Sequence, residues 1–214
     1  MIPMSFSNNA KFITFEGIDG CGKSTQARML LDALNKNHSI DTILVREPGG
    51  TTISESIREI LLHSNKGELG DRSESLLMTA SRAQLTQDVI IPNLELGKYV
   101  IADRYSDSTL AYQGGGRGID IDWLVDLNNY ATFALVPDIT FLIDIRPEEA
   151  LRRMDQGSDR IEGEGIELQT RVRKTYHDLA EKYQDRYVLL DGHSSINDIQ
   201  EKLLNEMKRR GLIS

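Results

Sequence analysis

Between Phe12 and Thr25 the chain reads FITFEGIDGCGKST, and the spacing of its small and charged residues has a chemical meaning. Gly17, Gly22, Lys23 and Ser24 take the fixed places of the pattern G-x-x-x-x-G-K-[ST], a phosphate-binding loop. Ile18, Asp19, Gly20 and Cys21 lie between them, and Thr25 follows. A triphosphate brings several negative charges that must be held without crowding. Glycines let the backbone curl so that successive N–H groups point at phosphate oxygens. A helix beginning near Lys23 adds its positive end, the lysine ammonium reaches the β/γ oxygens, and the Ser24 hydroxyl suits Mg²⁺. The bland alternative is an ordinary glycine-rich strand-to-helix turn. The flanks speak for the phosphate loop, because a short β-prone run leads in and the helical QARMLLDAL leads out.

Two further places could do chemistry. Asp103-Arg104 closes the apolar run YVIA. An arginine there can grip a phosphate with two parallel hydrogen bonds, while the carboxylate aims it or holds water on Mg²⁺. The second is the loop Arg46-Glu47-Pro48-Gly49-Gly50-Thr51, rich in turn residues, which follows the strand-like TILV. Cys21, at a helix start beside Lys23, is expected either to carry a lowered thiol pKa or simply to fill a permissive small-residue place. His38, His63, His177 and His193 have no metal-ligand spacing, and a single cysteine excludes an intrachain disulfide or a thiolate zinc site.

The elements that must carry these residues alternate. Strands are expected at Phe12–Phe15, Thr42–Val45, Tyr99–Ala102, Ile139–Ile145 and Tyr187–Leu190. A helix to about Lys36 bears Ala27, Leu30, Leu31 and Leu34 on one face. A short helix turns Ile57, Ile60 and Leu61 inward, and a long one from Arg72 to about Leu96 carries Leu76, Leu77, Ala80, Ala83 and Leu85, with a kink at Pro92. Ser106–Tyr112 reads as helical until Gly114-Gly115-Gly116-Arg117-Gly118 breaks the pattern. Further helices cover Asp120 to about Phe133, Pro147–Met154, a charged stretch ending near Tyr183, and a last one striped by Ile199, Leu203, Leu204 and Met207. This alternation predicts an α/β fold with a parallel sheet of about five strands and helices on both faces. In such sheets ligands lie beyond the carboxyl ends of the strands. The Gly17–Ser24 loop, the Arg46 loop and Asp103-Arg104 should therefore meet at one crevice, joined by the segment after Ile145.

The 214 residues suffice for one domain, 1–214, with its own core. There is no repeat, no linker, no run long enough to span a bilayer, and no signal-type h-region in MIPMSFSNNAK, which predicts a soluble cytoplasmic protein. With 25 basic and 33 acidic residues the formal charge is −8, which argues against nucleic acid or an anionic membrane surface as partner. An acidic protein with arginines at loop positions suits small anionic substrates.

The segments FEGIDGCGKST, REPGGT, ADRYSDSTLAYQGGGRGID and DRIE together resemble the bacterial thymidylate kinase family over essentially the whole chain. The resemblance implies a three-layer P-loop fold with a lid at about 152–165. It also implies a homodimer, formed through the Arg72–Leu96 helix and its neighbours, and transfer of the γ-phosphoryl group of ATP to dTMP with Mg²⁺, a step toward dTTP. Carried over residue by residue, it puts Glu47 and Pro48 at the thymidine pocket, Arg82 over the base and Gln113 in hydrogen bond with it. Arg58 and Arg104 would hold the acceptor phosphate, and Asp19 would sit near the sugar 3′-hydroxyl. Tyr112 would close the space of a ribose 2′-hydroxyl, with Ser108 and Thr109 making phosphate and base contacts. Lys23 would act on the donor phosphates, and Ser24 and Asp103 at the metal.

Two departures from the family pattern stand out. Met78 occupies the place where many relatives carry a phenylalanine that stacks on thymine; its sulfur can still lie against a ring. Gly20 follows Asp19 where some relatives place an arginine. The cation on the transferring phosphoryl group is then expected from Arg153, Arg152 or Arg160 in the lid, with Glu162 ordering it. Other readings are a different deoxynucleoside or nucleoside monophosphate kinase, a P-loop switch or motor-type ATPase, and a non-catalytic nucleotide-binding module. The switch lacks an NKxD-like guanine reader at a strand end.

Overall fold

The computed structural model describes residues 9–64, 68–154 and 165–213. The strands β1 (Lys11–Glu16), β2 (Thr42–Arg46), β3 (Tyr99–Asp103), β4 (Ile139–Asp144) and β5 (Tyr187–Asp191) form one parallel sheet in the order β2-β3-β1-β4-β5. Its registers include Phe15 opposite Asp103 and Phe15 opposite Phe141. β1 is thus central, and its carboxyl end lies between those of β3 and β4, the place where ligands gather in such sheets. The inner strands β1, β3 and β4 are near-continuous runs of buried residues, as strands covered on both faces must be, while the edge strands β2 and β5 are partly exposed. Ile13 and Phe15 belong to the larger core, with Leu30, Leu34, Phe141 and Tyr176, while Phe12 faces a smaller one with Val100, Leu85, Ile90 and Tyr105.

The helices are α1 (Lys23–Asn37), α2 (Thr52–His63), α3 (Asp71–Leu85), α4 (Ile91–Glu95), α5 (Ser106–Thr109), α6 (Ile121–Ala131), α7 (Pro147–Arg153), α8 (Gly165–Lys182) and α9 (Ile196–Arg209). Thr51, Asp120 and Ser195 cap α2, α6 and α9 through side-chain oxygens that accept backbone N–H groups.

Three local expectations are corrected. The helix beginning at Asp71 is not simply kinked at Pro92. It widens into a π-helical turn at Thr86–Ile90, where Ile91 N–H bonds to Thr86 O, before α4 resumes. Proline has no N–H and its ring crowds the preceding turn, and one wider turn absorbs both defects. Its buried face is also different: Leu76 is half exposed and Ala80 points outward, whereas Glu74, Ser75, Thr79, Ser81 and Arg82 are buried. On α2, Ile60 is likewise half exposed, and Leu61 with Ser54 is buried.

The third correction concerns Gly114–Gly116. These glycines do not end the helix; α5 runs into a π-helical segment, Leu110–Gly116, that contains them. Their role is close approach to α8. A Cβ on Gly115 would collide with the Thr175 hydroxyl and lie 2.7 Å from Thr175 Cβ, and one on Gly116 would lie 3.0 Å from Leu168 Cδ1. A missing side chain can serve a helix–helix contact as well as a turn.

Candidate functional site

The turn from β1 into α1 is built as a cradle. Gly17 has φ of +142°, and a Cβ there would lie 2.6 Å from Ile143 O, so only glycine fits between β1 and β4. Gly22 stands at the N-cap of α1 with φ of +98° and no side-chain cap, which leaves the first N–H groups of the helix for a ligand. Lys23 is buried, with Nζ donating to Ile18 O at 3.2 Å and 3.8 Å from Asp19 Oδ1. Ser24 is half buried, Thr25 is exposed, and Gly20 abuts α7 at Ala150 and Met154. Cys21 turns its side chain into the core instead of toward the cradle. Burial raises its thiol pKa and outweighs Lys23, so the expectation of a lowered value is not met.

Arg104 faces this cradle from the end of β3. Its backbone has φ of +74°, and its N–H bonds to Phe15 O at 3.0 Å, which ties it to β1. Nη1 donates to Gly17 O and Ser108 Oγ, each at 3.2 Å, and Nη2 donates to Tyr112 Oη at 3.1 Å and to Asp19. The guanidinium lies 4.9 Å from the Tyr112 ring centre. Asp19 also accepts from Tyr112 Oη at 2.7 Å and Gln169 Nε2 at 3.0 Å. Burial alone would raise the Asp19 pKa, but Arg104 and Lys23, helped by Tyr112 and Gln169, hold it at about 2. One carboxylate thus balances the two cations that flank the cradle.

Behind Arg104 lies a wholly buried acid. Glu16 Oε1 accepts Tyr105 N–H at 2.8 Å, and Oε2 accepts Ser108 Oγ at 2.6 Å and Tyr176 Oη at 2.8 Å. Burial, with the charge of Asp107 nearby, pushes its pKa up to about 7 against the hydrogen bonds and Arg104.

Arg82 forms the floor on the other side. Nε bonds to Glu47 at 2.7 Å, and Nη1 bonds to Thr109 and Asn128, each at 2.7 Å. Nη2 reaches Tyr105 O at 3.0 Å and Glu47 at 2.6 Å. Four of its N–H groups are hydrogen-bonded within the protein and Nη2 also pairs with Glu47, so Arg82 offers a ligand chiefly its flat face. Burial raises the Glu47 pKa despite this pair. The Glu47–Pro48 peptide is cis, and Pro48 O accepts Arg46 at 2.8 Å and Arg58 at 2.9 Å.

One cavity collects these groups. Asp19, Lys23, Ser24, Glu47, Pro48, Arg58, Met78, Arg82, Asp103, Arg104, Ser108, Thr109, Tyr112 and Gln113 all line it, together with Arg46 and Leu62. Arg152 and Arg153 stand apart from it at the exposed end of α7, where Arg153 Nη2 donates to Gly192 O at 3.0 Å. Arg160, Glu162 and most of the 152–165 stretch lie outside the described residues. The Asp103 carboxylate makes no hydrogen bond or ion pair among the described residues, and Asp103 shares the cavity with Ser24. A free carboxylate and a hydroxyl are hard oxygen donors of the kind Mg²⁺ takes alongside water and phosphate oxygens. No group of three or more His, Cys, Asp or Glu that could hold a metal occurs among the described residues.

Sequence reasoning passed over Glu16, Glu74, Gln169 and Tyr176, which touch the cavity residues from behind. Glu16 was the one with a signal: a carboxylate ending an apolar strand and preceding a tight glycine must be buried and must find donors.

Comparison with known proteins points the same way. The model of the thymidylate kinase family matches residues 15–203. The chain is 48% identical to a thymidylate kinase of Thermosipho africanus over 189 residues, which cover 88% of this chain and 92% of the relative. It is 44% identical to that of Kosmotoga olearia over 197 residues, 91% and 94% of the two chains. The crystal structure of thymidylate kinase from Ehrlichia chaffeensis superposes with a TM-score of 0.78 at 36% identity, covering 93% of this chain and 98% of that one.

Proposed function

We propose, for a chain that belongs to the thymidylate kinase family and is an ATP-dependent nucleoside monophosphate kinase, that one cavity holds the acceptor dTMP against the donor phosphates for in-line transfer of the γ-phosphoryl group. The observation that carries this reading is that Lys23 and Ser24 of the phosphate loop line the same cavity as Arg104, Arg58 and Gln113. A donor tail in the loop and an acceptor among the arginines would then be neighbours.

Ile18 to Thr25 and Gly17 cradle the ATP phosphates, and Lys23 follows the β/γ oxygens. Arg104 and Arg58 take the dTMP phosphate, and Asp19 passes from balancing Arg104 to accepting the sugar hydroxyl. Tyr112 fills the place of a 2′-hydroxyl; Pro48, Met78, Thr109 and the face of Arg82 enclose the base, and Gln113 meets its edge. Ser108 supports Arg104. Ser24 and Asp103 would hold Mg²⁺, which would supply charge neutralisation to the phosphates. The acceptor oxygen belongs to a phosphate monoester whose second pKa is about 6, so it attacks ionised and needs no strong base. Catalysis is positioning plus charge stabilisation, with Arg153 and Arg152 at the end of α7 as described candidates for the cation on the transferred group.

Two copies would meet through the outward face of α3 and its neighbour α2, where Leu76, Ile53 and Ile60 are each at least half exposed. Light scattering on the purified chain checks the dimer. The chemistry is tested by alanine at Arg152, Arg153 and Arg160 together. The reading expects kcat for dTDP formation to fall by about a hundredfold or more with little change in dTMP affinity. An unchanged kcat would refute arginine assistance from this segment.

A further inference from the structure

Among the described residues lining the cavity, Gln113 is the one with a side-chain amide, and an amide can present either its oxygen or its nitrogen. What fixes the choice lies behind it. Gln113 Nε2 donates to Glu74 Oε1 at 2.9 Å, and both groups are buried. The same carboxylate is gripped by Arg117, Nε to Oε1 at 3.1 Å and Nη2 to Oε2 at 3.0 Å, and Asp71 Oδ1 lies 3.5 Å from the same Nε. A carboxylate held in this two-pronged way accepts on both oxygens and donates on neither. The Gln113 nitrogen must therefore face Glu74. Its Oε1 carries no hydrogen bond among the described residues, and Gln113 lines the cavity.

We infer that Glu74, clamped by Arg117, is a specificity-determining positioning residue: it locks the Gln113 amide with its oxygen toward the cavity, so that the acceptor's base must bring a ring N–H. This rests on the acceptor reading given above. A pyrimidine with an imide N–H, thymine or uracil, satisfies that oxygen. Cytosine presents a lone pair at the same ring position, and two acceptors then face each other in a buried place. Glu74 touches no ligand itself. It acts through Gln113, and the preference it imposes is for one class of pyrimidine rather than for the methyl group.

The test uses the full chain with ATP and saturating Mg²⁺, and measures kcat and KM for dTMP, dUMP and dCMP in wild type and Glu74→Gln. A neutral amide at 74 can donate as well as accept, so Gln113 is free to turn over. The ratio of kcat/KM for dTMP to that for dCMP should fall by about tenfold or more, through KM for the monophosphate and without change in KM for ATP. A ratio within twofold of wild type in a folded variant overturns the inference. Should Glu74→Gln fail to fold, ¹³C,¹⁵N-labelled wild-type protein with dTMP bound decides. A through-hydrogen-bond coupling between the Gln113 side-chain nitrogen and the Glu74 carboxylate carbon supports the assignment, and a resolved Gln113 NH₂ signal without that coupling overturns it. Wild type that makes no dTDP would instead sink the function proposed above, so the two failures are distinguishable.

Discussion

Replacing Asp19 by asparagine removes the charge that balances Arg104 and Lys23, and the consequence can be worked out. In the folded chain the carboxyl titrates at about 2, against an ordinary value of 3.8. Burial opposes that shift; Arg104, Lys23, Tyr112 and Gln169 produce it. A difference of nearly two pH units corresponds to about 2 kcal/mol of stability. The side chain is only 11% exposed, so solvent screening takes little from the figure. The sign follows from proton counting. Between pH 2 and pH 3.8 the unfolded chain binds the proton and the folded chain does not, so stability rises with pH there. The contribution is complete above the upper value and gone below the lower one. Urea unfolding followed by Trp123 fluorescence should therefore find Asp19→Asn less stable by about 2 kcal/mol at pH 6, with the two proteins converging as pH approaches 2. Carboxyl ¹³C NMR on the wild type reads the same pKa directly. A gap that does not depend on pH, or an asparagine variant as stable as wild type at pH 6, would refute the reasoning.

Three other outcomes follow from the geometry. Gly115→Ala should cost about 1–3 kcal/mol in unfolding free energy, because its Cβ meets Thr175, and adding Thr175→Ala should restore part of the loss; additive effects in that double-mutant cycle would contradict the close-contact role. Glu16, whose folded pKa near 7 exceeds the ordinary 4.5, makes the protein lose stability as pH rises between those values, and Glu16→Gln should flatten that slope by up to about 3 kcal/mol across the window; an unchanged slope by thermal unfolding rejects it. Met78→Phe, at the cavity wall, should lower KM for dTMP; an unchanged or raised KM in steady-state kinetics removes the idea that this position stacks on the base.

The sheet and the phosphate cradle were legible because each rests on a constraint that leaves a local mark. Ile13 to Phe15 form an apolar, β-prone run, Gly17 sits where positive φ and close approach admit nothing larger, and Gly22 sits where a positive φ favours glycine. Misreadings arose where one residue type serves two purposes. Gly114–Gly116 look like a break, yet they bring a π-helical segment against α8; the evidence is a partner 60 residues away, at Thr175, that no local pattern contains. The inner face of α3 escaped hydrophobic periodicity because it is made of Glu74, Ser75, Thr79 and Arg82: Gln113 satisfies Glu74, Glu47, Thr109 and Asn128 satisfy Arg82, and the Ser75 and Thr79 hydroxyls donate to carbonyls one turn back in the helix. The residues that would touch a ligand stood out by motif. Of those behind them, Glu16 left one mark, a carboxylate at the end of an apolar strand, and Glu74 became visible only through its tertiary contacts.

The measurement that bears most directly on a shared donor–acceptor cavity is a coupled assay of purified protein with ATP, Mg²⁺ and each deoxynucleoside monophosphate in turn. The account predicts stoichiometric ADP and dTDP with dTMP, far lower turnover with dCMP, dAMP and dGMP, and loss of dTDP formation in Arg104→Met. ATP turnover that ignores the monophosphate, or full dTDP formation by Arg104→Met, would contradict it.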